Sequence, residues 1–471
     1  MPEEPLATHQ KAFAVNMDQV KYGAFAEIGA GQEVARWFFR AGGAAGTVAK
    51  TISAYDMDVS NSFYGKTDRY VSRQRLQTML DYEYSRLEEE LDAKRGEKTT
   101  FFVFADTVAA TSFTRRDEAH GWMGMKFQRR PRTEPSQIII HVRLLDKENL
   151  LQQEALGIMG VNLLYGAFFH YGTQFILSLL DGLTPQRVEV DLIKFSGPAF
   201  QMLDNRLMAL ELVRYSLTAA AMFTANGEVV QASEVLYKKP ILVERGSFRP
   251  VTRVTLDMLN LARARFVREP LVGGEPILEL MEMTLKNLTD AGVIDYADFL
   301  DRVDILGSLG KTVLISNYGE HHRLATYLFR HTKKMIGLVM GVPTLREIFE
   351  EKYYADLEGG ILESFGRLFK NALKLYVYPL QDPTNGQLIT ARSLRVAPNL
   401  RPLHEYLLKN RGIEGLRGAD ETCLPIFSRE VLAKMRQGDP SWEAMVPPQV
   451  SRLIKERKLF GWQSSAVVSE T

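Results

Sequence analysis

From residue 99 to about residue 400, short runs rich in β-branched and aromatic residues alternate with stretches of helical length, and nothing else in the chain limits its fold as tightly. TTFFVFADTV, SQIIIHVRLL and RVEVDLIKFSG are followed by KKPILVERGSF, PILELMEMTL, KTVLISNY, KMIGLVMG and LKLYVYPL. Helical spacing predicts helices over 149–169, 174–181, 205–217, 255–267, 297–309, 321–331, 344–355 and 361–370. Strands separated by helices pair in parallel through crossovers. The chain therefore reads as α/β with mainly parallel sheets, flanked by helical N- and C-terminal regions.

The partition that follows has four parts. Residues 1–98 form a helical N-terminal region, in which YGAFAE makes a poor strand and Leu76, Met79, Leu80 and Leu87 mark one buried helix face. Residues 99–239 form a first α/β unit and 240–400 a second. Residues 401–471 form a helical C-terminal region ending in a disordered tail, QSSAVVSET. The pattern leaves open whether the two α/β units share one sheet.

Composition excludes several classes of function. With 471 residues, 45% hydrophobic and 24% charged, the chain has ample core, and its net charge of +1 gives no overall field for nucleic acid or an anionic membrane. One cysteine, Cys423, rules out an intramolecular disulfide framework and fits a reducing compartment. The N-terminal MPEEPLATHQKAFAV has acids where a secretion signal needs bases. ALGIMGVNLLYGAFF (155–169) is too short to span a bilayer and contains Asn162, so it reads as a buried helix. A cytoplasmic protein without membrane or nucleic-acid partners is expected.

The stretch with the most chemistry is ERGSFRPVTRVTLDML, residues 244–259. An apolar run empties into a glycine turn and then a helix, a design that aims unpaired amides and the helix dipole at a phosphate. Gly246 permits close approach, and Arg245 and Arg249 would add charge-assisted bonds. The segment resembles the first strand–turn–helix of the Rossmann-like nucleotidyltransferases, the nicotinate-nucleotide and phosphopantetheine adenylyltransferases. Gly246, Ser247, Phe248, Pro250, Val251 and Thr252 match their motif, as do Leu256 and Asp257. The chain is also similar, along its length, to uncharacterised bacterial proteins bearing a nicotinate-nucleotide adenylyltransferase label. The resemblance implies a Rossmann-like second half that binds ATP or another adenine nucleotide. Arg245, Gly246, Ser247, Arg249 and Thr252 would hold the nucleotide or phosphate. The family's Gly-His pair falls on Val254-Thr255 and its Asp or Asn before proline on Arg249. Thr255 would then stand where a catalytic histidine is lost, donating a hydrogen bond without the positive charge that adenylyl transfer uses.

A supplementary site is expected where TVLIS ends, because parallel sheets place ligands at their strands' carboxyl ends. Its candidates are Ser316, Asn317, Glu320, His321 and His322. The adjacent histidines point about 100° apart on a helix and do not share a metal, so no metal site is expected. EIGAG (27–31) is similar to the opening of methyltransferases that bind S-adenosylmethionine, with Glu33 in place of their third glycine. FFVFADTV and KTVLISN are similar to haloacid-dehalogenase-type phosphatase motifs without the paired aspartates. Gly307 and Gly310 lie too close for a P-loop. Asp204 suits a helix cap. The expected function is binding of a nucleotide or phosphorylated metabolite on an adenylyltransferase-like scaffold with an altered motif. The alternative is a non-catalytic, self-assembling structural or regulatory protein, a homo-oligomer built on the same scaffold.

Overall fold

A computed structural model describes residues 4–111, 119–290, 292–382 and 384–463. They divide into two units, Met1–Ala221 and Met222–Thr471.

The first unit carries six strands: β1 (Lys21–Ile28), β2 (Val48–Ile52), β3 (Thr100–Ala109), β4 (Ala119–Phe127), β5 (Ser136–Leu144) and β6 (Val188–Ser196). They lie in the order β2-β1-β3-β4-β5-β6. Only β1 pairs in parallel, with β2 and β3, and every pairing from β3 to β6 is antiparallel. This corrects the expectation of a mainly parallel sheet here. Residues 128–135, between β4 and β5, are too few for a crossover and permit only an antiparallel return.

The mainly helical N-terminal region is corrected in one respect, because β1 and β2 lie inside it. The sequence KYGAFAEI has the small residues of a strand squeezed by its neighbour. A Cβ on Gly23 would stand 2.3 Å from the carbonyl oxygen of Phe102 on β3.

The apolar run 155–169 lies in the helix Asn149–Phe169, packed against this sheet. Its Asn162 is fully buried yet satisfied. Lys11 donates to its carbonyl at 2.8 Å, and its amide donates to the backbone oxygens of Leu179 (2.9 Å) and Asp181 (2.8 Å). Among the described residues no helix is long and apolar enough to cross a membrane.

The second unit holds a separate eight-stranded sheet, so the two sheets are distinct. Its strands, in chain order with two small ribbons, are β7 (Ala220–Phe223), β8 (Val229–Val230), β9 (Ile241–Arg245), β10 (Leu278–Thr284), β11 (Thr289–Asp290), β12 (Val293–Ile294), β13 (Thr312–Ser316), β14 (Ile336–Gly341), β15 (Leu373–Tyr378), β16 (Leu380–Gln381), β17 (Leu388–Ile389) and β18 (Ile413–Gly415). The sheet runs β18-β15-β14-β9-β10-β13-β7-β8. All five pairings from β18 across to β13 are parallel, and β7–β8 closes the edge as an antiparallel pair. Strand β9, first of the parallel six in the chain, lies inside the sheet. The chain builds outward from it to β10 and β13, then restarts on its other side with β14.

The helix His321–His331 has the bounds that its periodicity predicts. Beyond residue 400 the chain is helical at Arg401–Lys409, Ser428–Arg436 and Pro448–Arg457, but it also donates β18 to the sheet. Of the expected tail QSSAVVSET, residues 464–471 lie outside the described residues.

Candidate ligand site at the carboxyl edge of the second sheet

Parallel pairing brings the carboxyl ends of β9, β10, β13 and β14 to one edge, and Glu282 organises it. This residue faces Arg245 across the β9–β10 register and is fully buried. Its two carboxylate oxygens accept from the Arg245 guanidinium at 2.8 and 2.9 Å, and one also accepts from the Ser316 hydroxyl at 2.6 Å. A further Arg245 nitrogen donates to the carbonyl of Gly319 at 2.7 Å. A bidentate arginine–carboxylate pair is geometrically demanding. Here it fastens the turn after β9 to the loop after β13.

The two groups of residues that the sequence offered as separate sites thus meet. Arg245 and Ser316 share one carboxylate. His321, opening the next helix, stands near Arg245; burial, and then that guanidinium, hold its pKa well below the ordinary histidine value. His321 is therefore neutral at pH 7, able to donate or accept one hydrogen bond but carrying no charge to offer an anion. Asn317 is exposed beside it, and His322 turns to other partners, its Nδ1 lying 3.0 Å from Ser364 Oγ.

The turn itself is closely held. The Gly246 amide donates to the carbonyl of Glu282 at 3.0 Å. Phe248 turns inward, buried, with a φ of 48°. Arg302, itself buried, donates to the Ser247 carbonyl at 3.1 Å. Arg249 donates to Asp298 at 2.5 Å, and Asp298 also pairs with Arg302. Thr252 caps the helix Arg253–Phe266, its hydroxyl accepting from the Thr255 amide at 3.4 Å, while the Thr255 hydroxyl accepts from the Thr252 amide at 3.4 Å. Thr255 is thus a helix-capping group here.

The glycine turn after β1 makes an instructive contrast. The Glu27 carboxylate accepts from the amides of Val34 (2.8 Å) and Ala35 (3.0 Å) in the first turn of the helix Glu33–Ala41. The anion position at that helix start is filled by the chain's own side chain. Burial raises the Glu27 pKa to about 7 against the pull of those two amides, and Asp106, facing it on β3, is raised too. On the same sheet His141 joins Asp191 at 2.5 Å and His120 at 3.1 Å, a line of hydrogen bonds across three strands. Asp204 caps its helix by accepting from the Arg206 amide at 2.8 Å.

Sequence reasoning missed Glu282, Asp298, Arg302 and Ser364. A glutamate inside the apolar strand LELMEMT was a visible signal for the first. The others sit on amphipathic helices, where a polar residue announces nothing.

No family model matches the chain and no curated protein matches it. Three solved structures show limited likeness. The competence/damage inducible protein CihA from Agrobacterium tumefaciens has 15% identity over 35% of this chain and 97% of its own, with a TM-score of 0.27. A competence-damaged protein (CinA) superfamily member from Klebsiella pneumoniae has 12% identity over 35% and 100%, with a TM-score of 0.27. Another from Escherichia coli has 12% identity over 37% and 91%, with a TM-score of 0.24. Likeness of this degree assigns neither a family nor an activity.

Proposed function

We propose that the second unit binds a nucleotide or a related phosphorylated metabolite at the carboxyl edge of its parallel strands, between the turn 246–252 and the segment 316–322, from the end of β13 to the start of the next helix. The observation that carries this reading is the restart of the strand order beside β9. In doubly wound sheets, the crevice at such a restart is where dinucleotides and phosphates bind. The motif resemblance over residues 244–259 falls at that same strand end, and its arginines are partly exposed there.

A second reading, a protein that keeps the scaffold without transfer chemistry, is favoured by one specific observation. Arg245 and Arg249 each already face a carboxylate, and Thr255 is spent on the helix cap. Binding is therefore the proposal, and group transfer is not part of it.

The test is thermal unfolding with ATP, NAD and pyrophosphate, in the native protein and in Arg249→Ala. Asp298 keeps Arg302 in that variant, so the fold survives. Ligand at a hundred times its dissociation constant adds about 2.7 kcal/mol. The proposal expects ATP to raise the midpoint of the native protein and Arg249→Ala to lose most of the rise. No shift with any of the three, in a protein that light scattering shows as a defined oligomer, would favour the assembly reading instead.

A further inference from the structure

A cavity of about 330 Å³ opens in the first unit, the size of a small-molecule site. Ile138 of β5 and Phe195 of β6 line it. So do Phe175 from the helix Gly172–Ser178, Phe200 from the turn after β6 and Leu207 from the helix Asn205–Arg214. The ring of Phe195 meets those of Phe175 and Phe200 edge to face, with centroids 5.4 and 5.0 Å apart. Walls of this kind accept an apolar body.

The charges at the cavity are unequally answered. Arg129, half-buried just beyond β4, lines it and makes no ion pair among the described residues. Tyr171, on the same wall, holds the guanidinium instead. One nitrogen donates to the phenol oxygen at 3.1 Å, and the charge lies 4.8 Å from the ring centre. That bond uses one N–H group and leaves the rest of the fork unmet. Asp204, the carboxylate that shares the lining, is already satisfied. One oxygen accepts from the Arg206 amide at 2.8 Å, and the other accepts from the Arg206 guanidinium at 2.7 Å.

His170 adds no charge, because burial, and then Lys11, lower its pKa. Its Nδ1 is buried without a hydrogen-bond partner, a polar atom left for an occupant to meet. Among the described residues, the uncompensated charge at this apolar cavity is therefore positive. Met202, also in the lining, is 99% exposed, and an unbranched thioether there is free to lie over an apolar chain.

We infer that this cavity is a site for an apolar monocarboxylate, a medium-chain fatty acid or an arylalkanoate, with its carboxylate on Arg129 and its body among the rings of Phe175, Phe195 and Phe200. A planar carboxylate suits the paired donors of a guanidinium, and the apolar body gains by leaving water. The site lies wholly within residues 129–208 and shares none with the phosphate reading.

Isothermal titration of the full chain tests it, with octanoate and phenylpropionate as ligands, each below its micellar concentration. Octanol, octylamine and acetate serve as controls that lack the charge, reverse it or lack the apolar body. At least one of the two acids should bind, and all three controls should bind at least tenfold more weakly. Arg129→Gln should weaken the acid tenfold or more and bring it level with octanol. Leu207→Trp, which fills the cavity from a half-buried helix position, should remove acid and octanol binding alike, with circular dichroism confirming the fold. In the native protein, the bound acid should slow hydrogen exchange at residues 170–175 and 199–208, a readout that needs no variant. No binding by either acid, binding by a control as tight as the acid's, binding indifferent to Arg129→Gln, or protection confined to other segments would overturn the inference. ATP binding in the other unit can succeed or fail without changing any of these outcomes.

Discussion

Glu282 is the residue on which the second unit's carboxyl edge depends, and its environment makes it sensitive to losing a partner. It is fully buried, and its charge is answered by Arg245 with help from Ser316. Removing one member of a buried pair strands the other, at about 3–5 kcal/mol, whereas replacing both with apolar groups of like volume is far cheaper. Arg245→Ala should therefore lower unfolding stability by roughly that amount, and Arg245→Met with Glu282→Met by much less, as urea titration would read. Equal losses would mean that the pair is not the fastening. Glu27 offers a pH test. Its pKa rises on folding from the ordinary 4.5 to about 7, so the native state binds a proton more tightly than the unfolded chain. Stability tied to Glu27 is then complete below pH 4.5 and declines as pH rises through 7, by about 3 kcal/mol at most. Glu27→Gln should flatten that decline, and an unchanged pH profile would show that the carboxyl is not the group responsible.

At the scale of elements, two helices carry distinct arguments. The helix Asn149–Phe169 is nearly all apolar, yet Asn162 in its middle meets Lys11 and two backbone carbonyls. Asn162→Leu would leave buried polar groups unanswered, each costing about 1–3 kcal/mol. Thermal unfolding should show that loss, and a neutral result would mean that water replaces the amide without penalty. The helix Arg253–Phe266 begins on the Thr252–Thr255 box, and Thr252→Ala should cost about 1 kcal/mol. The elements that sequence made legible were the strands of β-branched, aromatic and large aliphatic residues, β3, β5, β6, β9, β10, β13, β14 and β15, and the strongly periodic helix His321–His331. β1 escaped because close approach of Phe102 demands glycine at 23 and favours alanine around it, which dilutes the β-branched signal. β4 escaped for the same reason: a Cβ on Gly124 would lie 3.0 Å from the carbonyl of Ile138. Glu282 with Arg245, and His322 with Ser364, are pairs far apart in the chain that only tertiary pairing brings together. Their meeting was not readable from spacing.

At the scale of the whole molecule, each unit has its own sheet, so chains cut between Ala219 and Ala220 should each fold, with circular dichroism reporting native-like structure in both. Failure of either half would show that its sheet needs the other for stability. The central claim is that a phosphate-bearing ligand sits at the carboxyl edge of β9 and β13. Hydrogen–deuterium exchange of the full chain with and without saturating ATP addresses it most directly. The account predicts slowed exchange confined to residues 246–256 and 316–322. Unchanged exchange in both segments, or protection confined to other parts of the chain, would contradict it.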